Sequence, residues 1–177
     1  MWTIIKFDKK GLSFLQKDFK KKEFYVLKNN LKEKLGDNFL IYRPKLLIQN
    51  YKKNVLIDKH IDIMGEYLFL FHKDLNDEKI IRDLNFTKGL KYILQNFSYS
   101  QVEIKNFLDK CKKSENENGF ITQSLFDLNI CKSYKFNTGP FTNEIFKIIN
   151  LQKNKINILL NNIKTTIDKR SFLFSPV

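Results

Sequence analysis

Few residues in this chain have the types and spacing that catalysis needs. The two histidines, His60 and His72, lie far apart without cysteine neighbours, whereas a zinc centre needs about four clustered Cys, His or carboxylate ligands. Cys111 and Cys131 have no Cys-x-x-Cys spacing. Neither a metal site nor a disulfide framework is expected, and both thiols read as free in a reducing cytosol. The six glycines are scattered singly, which excludes a phosphate-cradling loop. No Gly-x-Ser-x-Gly elbow occurs. Asp74, Asp77 and Glu78 cluster at the start of a helical pattern, where negative charge complements the helix dipole. No catalytic residue, metal or cofactor is expected, so the chain reads as a binding protein.

Binding chemistry is more visible. The chain has 177 residues, with 32 Lys plus Arg against 19 Asp plus Glu, a net charge of +13. Residues 1–60 hold 15 basic and 6 acidic side chains, 61–120 hold 9 and 10, and 121–177 hold 8 and 3. Basic ends around a balanced middle fit separate surfaces for separate partners, or lysines that merely keep a Phe-rich chain soluble. The first ten residues mix both charges where a signal peptide needs an apolar run. No segment approaches the roughly 18 apolar residues of a membrane span. A cytoplasmic monomer with no membrane partner is expected.

The elements that must position such surfaces follow from periodicity. Residues 2–7 read as a strand rich in β-formers. Residues 9–35 carry apolar positions at three- and four-residue steps, a helix stopped by Gly36. Residues 38–48 read as a strand with Pro44 at an edge or bulge, and 55–57 as a short strand. Residues 61–71 form the strongest strand pattern, with Tyr67, Phe69 and Phe71 on one face and Leu68 and Leu70 on the other. A short helix over 76–84, a strand over 90–94 and a helix over 100–111, opened by a Ser100/Glu103 capping box, follow. Residues 112–119 lack any apolar side chain and read as a linker. Beyond it, 130–136, 145–151, 155–160 and 165–169 are candidate strands of a small barrel. The expected class is α+β: a mixed α/β sandwich over 1–111, a flexible linker over 112–124 and an all-β barrel over 125–177.

Three ordered segments resemble the NusG family of transcription elongation factors, which includes the antiterminator RfaH. Trp2 opens the first strand as the family's Trp-Tyr does. Ile63-Met64-Gly65-Glu66-Tyr67-Leu68-Phe69-Leu70 is similar to Phe-Pro-Gly-Tyr-Val-Phe-Val, and Asn85-Phe86-Thr87-Lys88-Gly89-Leu90 to Asn-x-Thr-x-Gly-Val. Tyr134-Lys135-Phe136-Asn137-Thr138-Gly139-Pro140-Phe141 resembles the KOW motif. Departures are plain: Gly65-Glu66 stands for Pro-Gly, Cys131-Lys132 for the KOW Gly-Asp, and Phe146 for a KOW glycine. Residues 155–163 lean toward RfaH-type members, with housekeeping NusG as the alternative.

The resemblance implies an NGN-like domain that docks on RNA polymerase through exposed apolar side chains, at Trp2, Met64 and Tyr67. The bare residues favour a core role for these positions, because an aromatic on a strand is buried more often than not. It also implies contact with non-template DNA through Lys9, Lys10 and Lys88, extended by Lys20 to Lys22 and Arg82, although in a chain this rich in lysine the usual fate of any one lysine is a solvated side chain. Gly139, Pro140 and Phe141 would form the turn of an SH3-like KOW barrel, and Ile163 would meet a second partner, a small ribosomal subunit protein or Rho. Whether that barrel instead packs as a helical hairpin is left open. A KOW-type RNA-binding module is the alternative from another class.

Overall fold

The computed structural model describes residues 1–8 and 19–177, without the side chains of 19–25. In chain order the elements are β1 (Trp2–Phe7), α1 (Phe19–Leu35), β2 (Leu40–Tyr42), β3 (Lys45–Lys52), β4 (Val55–Asp62), β5 (Tyr67–Phe71), α2 (Glu78–Asn85), β6 (Leu90–Ile93) and α3 (Gln101–Lys113). After a 3₁₀ turn at Gln123–Leu125 come β7 (Ser133–Phe136), β8 (Ile145–Leu151), β9 (Lys155–Leu160), β10 (Ile163–Asp168) and β11 (Phe174–Pro176). The chain splits into two compact units, residues 1–43 with 64–107 and residues 44–63 with 108–177.

The first unit is built on an antiparallel sheet in the order β2-β5-β1-β6. Alternation sends Ile5 and Phe7 of β1 and Leu68 and Leu70 of β5 to one face, where they are buried against Leu27, Leu31 and Leu35 of α1 and Leu84 of α2. Each such side chain contributes about 1.5–3 kcal/mol on burial. Register places Trp2 opposite Phe71, Ile4 opposite Phe69 and Lys6 opposite Tyr67 on the other face. That face carries the aromatic residues of β5, as the alternation predicts.

Helix α1 ends at Gly36, whose φ of 75° and amide bond to the Lys32 carbonyl at 2.8 Å complete a left-handed C-terminal cap. Of the helix expected over 9–35, residues 9–18 lie outside the described residues. Two expected strands are each divided. Pro44 breaks 38–48 into β2 and β3, because it supplies no amide to a ladder. A turn at Met64 to Tyr67, closed by the Tyr67 amide on the Met64 carbonyl at 3.1 Å with Gly65 at φ 62°, separates β4 from β5.

The second unit holds an antiparallel sheet in the order β10-β9-β8-β7-β11 and the separate β3–β4 hairpin. Phe136, Phe146, Ile148, Ile156, Ile158 and Phe174 fill its core. The expected barrel is therefore a five-stranded sheet, and among the described residues its edge strands β10 and β11 do not pair to close it. The short strand expected at 55–57 runs over the whole of Val55–Asp62 and pairs with β3 through a two-residue turn, Lys53 and Asn54 both at positive φ. The hairpin belongs with the C-terminal sheet: the Gln49 amide donates to the Asn137 carbonyl at 2.6 Å and the Ile121 amide to the Lys45 carbonyl at 2.8 Å. The compact units thus divide the chain differently from 1–111 and 125–177.

The polar stretch 112–119 carries hydrogen bonds of its backbone and of the Asn116 side chain. Helix α3 runs through Lys113, and Ser114 is buried with its carbonyl accepting from the Thr122 amide and hydroxyl, each at 2.8 Å. The Asn116 carboxamide accepts from the amides of Asn118 and Phe120 at 3.1 and 3.0 Å, an Asx turn that composition alone reads as a linker.

Candidate functional site

The aromatic face of the first sheet is part covered and part open. At its covered end, α3 crosses the sheet. Phe107 lies 5.6 Å from Phe69 between ring centroids, and Gln101 clamps the start of β1. Its Oε1 accepts from the Trp2 amide at 2.9 Å, and its Nε2 donates to the Trp2 carbonyl at 2.7 Å. The Trp2 ring is half-buried, 5.3 Å from Phe71.

At the open end, Tyr67 and Tyr92 meet edge-on with centroids 6.3 Å apart and hydroxyls bonded at 2.7 Å. The Lys6 ammonium lies over both rings, 5.3 and 5.7 Å from their centroids, and 3.8 Å from the Glu66 carboxylate. The hydrogen bond that the Tyr92 phenol shares with Tyr67 raises it above its ordinary value, desolvation adds to this, and the Lys6 charge opposes it. This cluster offers ring faces, a fixed ammonium and phenol oxygens: equipment for docking a protein surface, where aromatic anchors dominate binding energy. Tyr92 is 36% exposed. Register sets Tyr92 opposite Lys6, and beyond that pair a bulge skips Lys91 so that Phe7 faces Leu90, a cross-strand placement that alternation within one strand does not reveal.

Trp2 and Tyr67 therefore share one face but stand at opposite ends of it, four residues apart along β1, or about 13 Å. Met64 is half-buried in the turn before Tyr67. Lys9 and Lys10 lie outside the described residues. Lys88 is exposed in a turn closed by the Leu90 amide on the Thr87 carbonyl at 3.0 Å, with Gly89 at φ 90°. A type II turn needs that glycine. Asn30 of α1 donates to the Lys88 carbonyl at 3.0 Å and fixes the turn. Arg82 is exposed on α2.

In the second unit, Gly139 sits at φ 85°, and a Cβ there would lie 2.5 Å from the Phe172 ring. Its amide donates to Gln49 Oε1 at 2.7 Å. Pro140 and Phe141 are exposed, and Phe141 packs 5.7 Å from Phe136. Ile163 opens β10 and is 68% exposed. Cys131, in the place of the KOW glycine, adopts φ 66°, a conformation that glycine takes without cost. Among the described residues no group of three His, Cys, Asp or Glu side chains is placed to hold a metal ion, and no helix is long and apolar enough to cross a membrane.

No family model matches the chain, and no curated protein matches it. Among solved structures, it is similar to a chain of an MjSpt4:Spt5 complex, at 13% identity over 100% of this chain and 98% of that one, with a TM-score of 0.28. It is also similar to Thermotoga maritima NusG, at 10% identity over 94% and 91% of the two chains, with a TM-score of 0.27. At such scores the functional reading rests on the residues themselves.

Proposed function

We propose that this chain is a non-catalytic transcription elongation factor that docks on RNA polymerase through the open aromatic end of its first sheet. The observation that carries the reading is the Tyr67–Tyr92–Lys6 cluster: a residue that the NusG resemblance implicates in docking stands half-buried beside a second, more exposed tyrosine and a lysine held over both rings. Met64, in the turn before Tyr67, extends this surface, and Trp2 joins it from the other end of the same face. Lys88 and Arg82 supply contact with non-template DNA, and the second unit, through its KOW-like turn Gly139 to Phe141 and through Ile163, recruits a ribosomal protein or Rho. Suppression of pausing by a specialised RfaH-like paralogue in the cytoplasm is the form of the proposal.

Pull-down of the chain with core RNA polymerase tests it. Tyr67→Ala combined with Tyr92→Ala should lose polymerase while keeping the wild-type circular dichroism spectrum, because both side chains are partly exposed and truncation there leaves no large cavity. Retention of polymerase by the folded double variant would place the docking surface elsewhere.

A further inference from the structure

Within the second unit, the β3–β4 hairpin and the C-terminal sheet leave a cleft of about 450 Å³. The hairpin contributes Leu46, Ile48 and Ile61. The sheet contributes the rings of Tyr134 and Phe174, which meet edge-on with centroids 5.8 Å apart. Phe126, just after the 3₁₀ turn, lines it from a third direction. Gln49 ties the hairpin to the sheet, its amide on the Asn137 carbonyl at 2.6 Å and its Oε1 on the Gly139 amide at 2.7 Å, so the walls are preformed. Small-molecule sites are of this kind: about 300–1,000 Å³, mostly apolar, with a few fixed polar groups.

One polar group on the lining is singled out by its burial. Gln123, in the 3₁₀ turn, is only 2% exposed and lines the cleft. Its Oε1 accepts from the Phe174 amide at 2.9 Å, which fixes the carboxamide and leaves its NH₂ group without an acceptor among the described residues. A buried donor left unpaired is costly, and a ligand acceptor removes that cost. Ser175 and Asn137, also on the lining, are paired with each other at 3.5 Å. Asp127 is the single charged side chain among the lining residues, and it is exposed at the rim. In a chain of net charge +13, this cleft has no cation to hold a carboxylate or phosphate.

We propose that the cleft binds a small aromatic molecule bearing a carbonyl acceptor, neutral or positively charged. The carbonyl oxygen accepts from Gln123 Nε2. The ring packs against Tyr134, Phe126 and the hairpin aliphatics, where aromatic pairs gain beyond their buried area. A positive or N–H-bearing end meets Asp127. An anion would shed water there without gaining a cation. A donor so deeply buried lies out of reach of a protein's flat face, which makes a small molecule the occupant. Polymerase docking uses the first unit, so the two proposals stand or fall separately.

Proton–nitrogen correlation NMR of the full chain, titrated with cinnamide up to its solubility limit, tests the site. The side-chain NH₂ resonances of Gln123 and the amides of Ile48, Ile61 and Phe174 should shift together. Cinnamate, the same ring with an anionic carboxylate, should bind about 10-fold more weakly or less, and Asp127→Asn should narrow that gap. Gln123→Glu keeps an oxygen for the Phe174 amide but removes the donor, and should weaken cinnamide by about 10-fold. Ile61→Trp fills the cleft from the partly exposed hairpin and should abolish the shifts. Either variant, with a dispersed wild-type-like spectrum and wild-type affinity for cinnamide, would overturn the proposal. So would an unmoved Gln123 in the wild type, or cinnamate bound as tightly as cinnamide. Shifts confined to Phe126 and Asp127 would also overturn it, leaving the rim to a side chain of a protein partner.

Discussion

Replacing Gly139 with alanine perturbs the second unit at one atom. The new Cβ would lie 2.5 Å from Cε1 and 2.6 Å from Cδ1 of Phe172, well inside van der Waals contact. The ring cannot simply swing away, because it packs edge-on against Phe136 at 5.6 Å and Phe141 at 6.4 Å. Overpacking of this kind costs about 1–3 kcal/mol. Holding a side-chain-bearing residue at φ 85° adds about 1–2 kcal/mol. The reduced freedom of the unfolded chain offsets about 0.4–1 kcal/mol. Gly139→Ala should therefore destabilise by about 2–4 kcal/mol, read as a lower urea midpoint by circular dichroism at unchanged m-value. In a Phe172→Ala background the steric part disappears, and the same substitution should cost only about 1 kcal/mol. A Gly139→Ala protein with the wild-type midpoint would refute the packing argument. Equal costs in both backgrounds would refute the assignment of the clash to Phe172.

Tyr67→Phe removes the hydroxyl that raises the Tyr92 phenol, so ultraviolet titration should show Tyr92 ionising at a lower pH than in the wild type. Because the folded state holds that proton more tightly, the stabilisation from this pair is present at neutral pH. It is lost as pH rises through the raised value, above the ordinary tyrosine value of about 10. Cys131→Gly relieves a left-handed residue at φ 66° against the added entropy of a glycine. It should leave the urea midpoint unchanged or raise stability by up to about 1 kcal/mol, and a clear loss would contradict it. Gln101→Ala strips partners from the Trp2 amide and carbonyl. It should destabilise the first unit by about 1–3 kcal/mol, followed by the emission of Trp2, the single tryptophan of the chain.

Where the two faces of a segment differ in chemistry, its pattern was legible. Leu68 and Leu70 against Tyr67, Phe69 and Phe71 give β5 an aliphatic and an aromatic face, and Gly36 marks the end of α1. The β3–β4 hairpin was not legible for the same physical reason in reverse. Residues 51–60 are exposed on both faces, so no alternation is imposed on them, and the turn uses Lys53 and Asn54 where a glycine signal is usual. By contrast Asn161 and Asn162, also at positive φ, open β10 with residues suited to such a turn. Strand β11 is three residues ending in proline, too short for any period. The docking face was half legible: Tyr67 stands out by type, but its meeting with Tyr92 depends on both lying opposite Lys6 on the two strands beside β1, which only the folded register supplies.

The path of the chain has a consequence for how the molecule is made. Residues 44–63 leave the first unit and return to it, yet their partners lie at the far end of the sequence: Gln49 and Gly139 are 90 residues apart. During synthesis the hairpin emerges long before the strands that cover Leu46, Ile48 and Ile61, which line a cleft of about 450 Å³ with Phe126, Leu173 and Phe174. The segments of the first unit are complete once residue 107 has been made, so its sheet can form around a loop that has nowhere yet to go. Until residue 174 arrives, the apolar side chains Leu46, Ile48 and Ile61 of that hairpin have no partner sheet on the nascent chain. Long-range closure of this kind is slow, and the interval is the period in which the protein is most open to aggregation or to a chaperone.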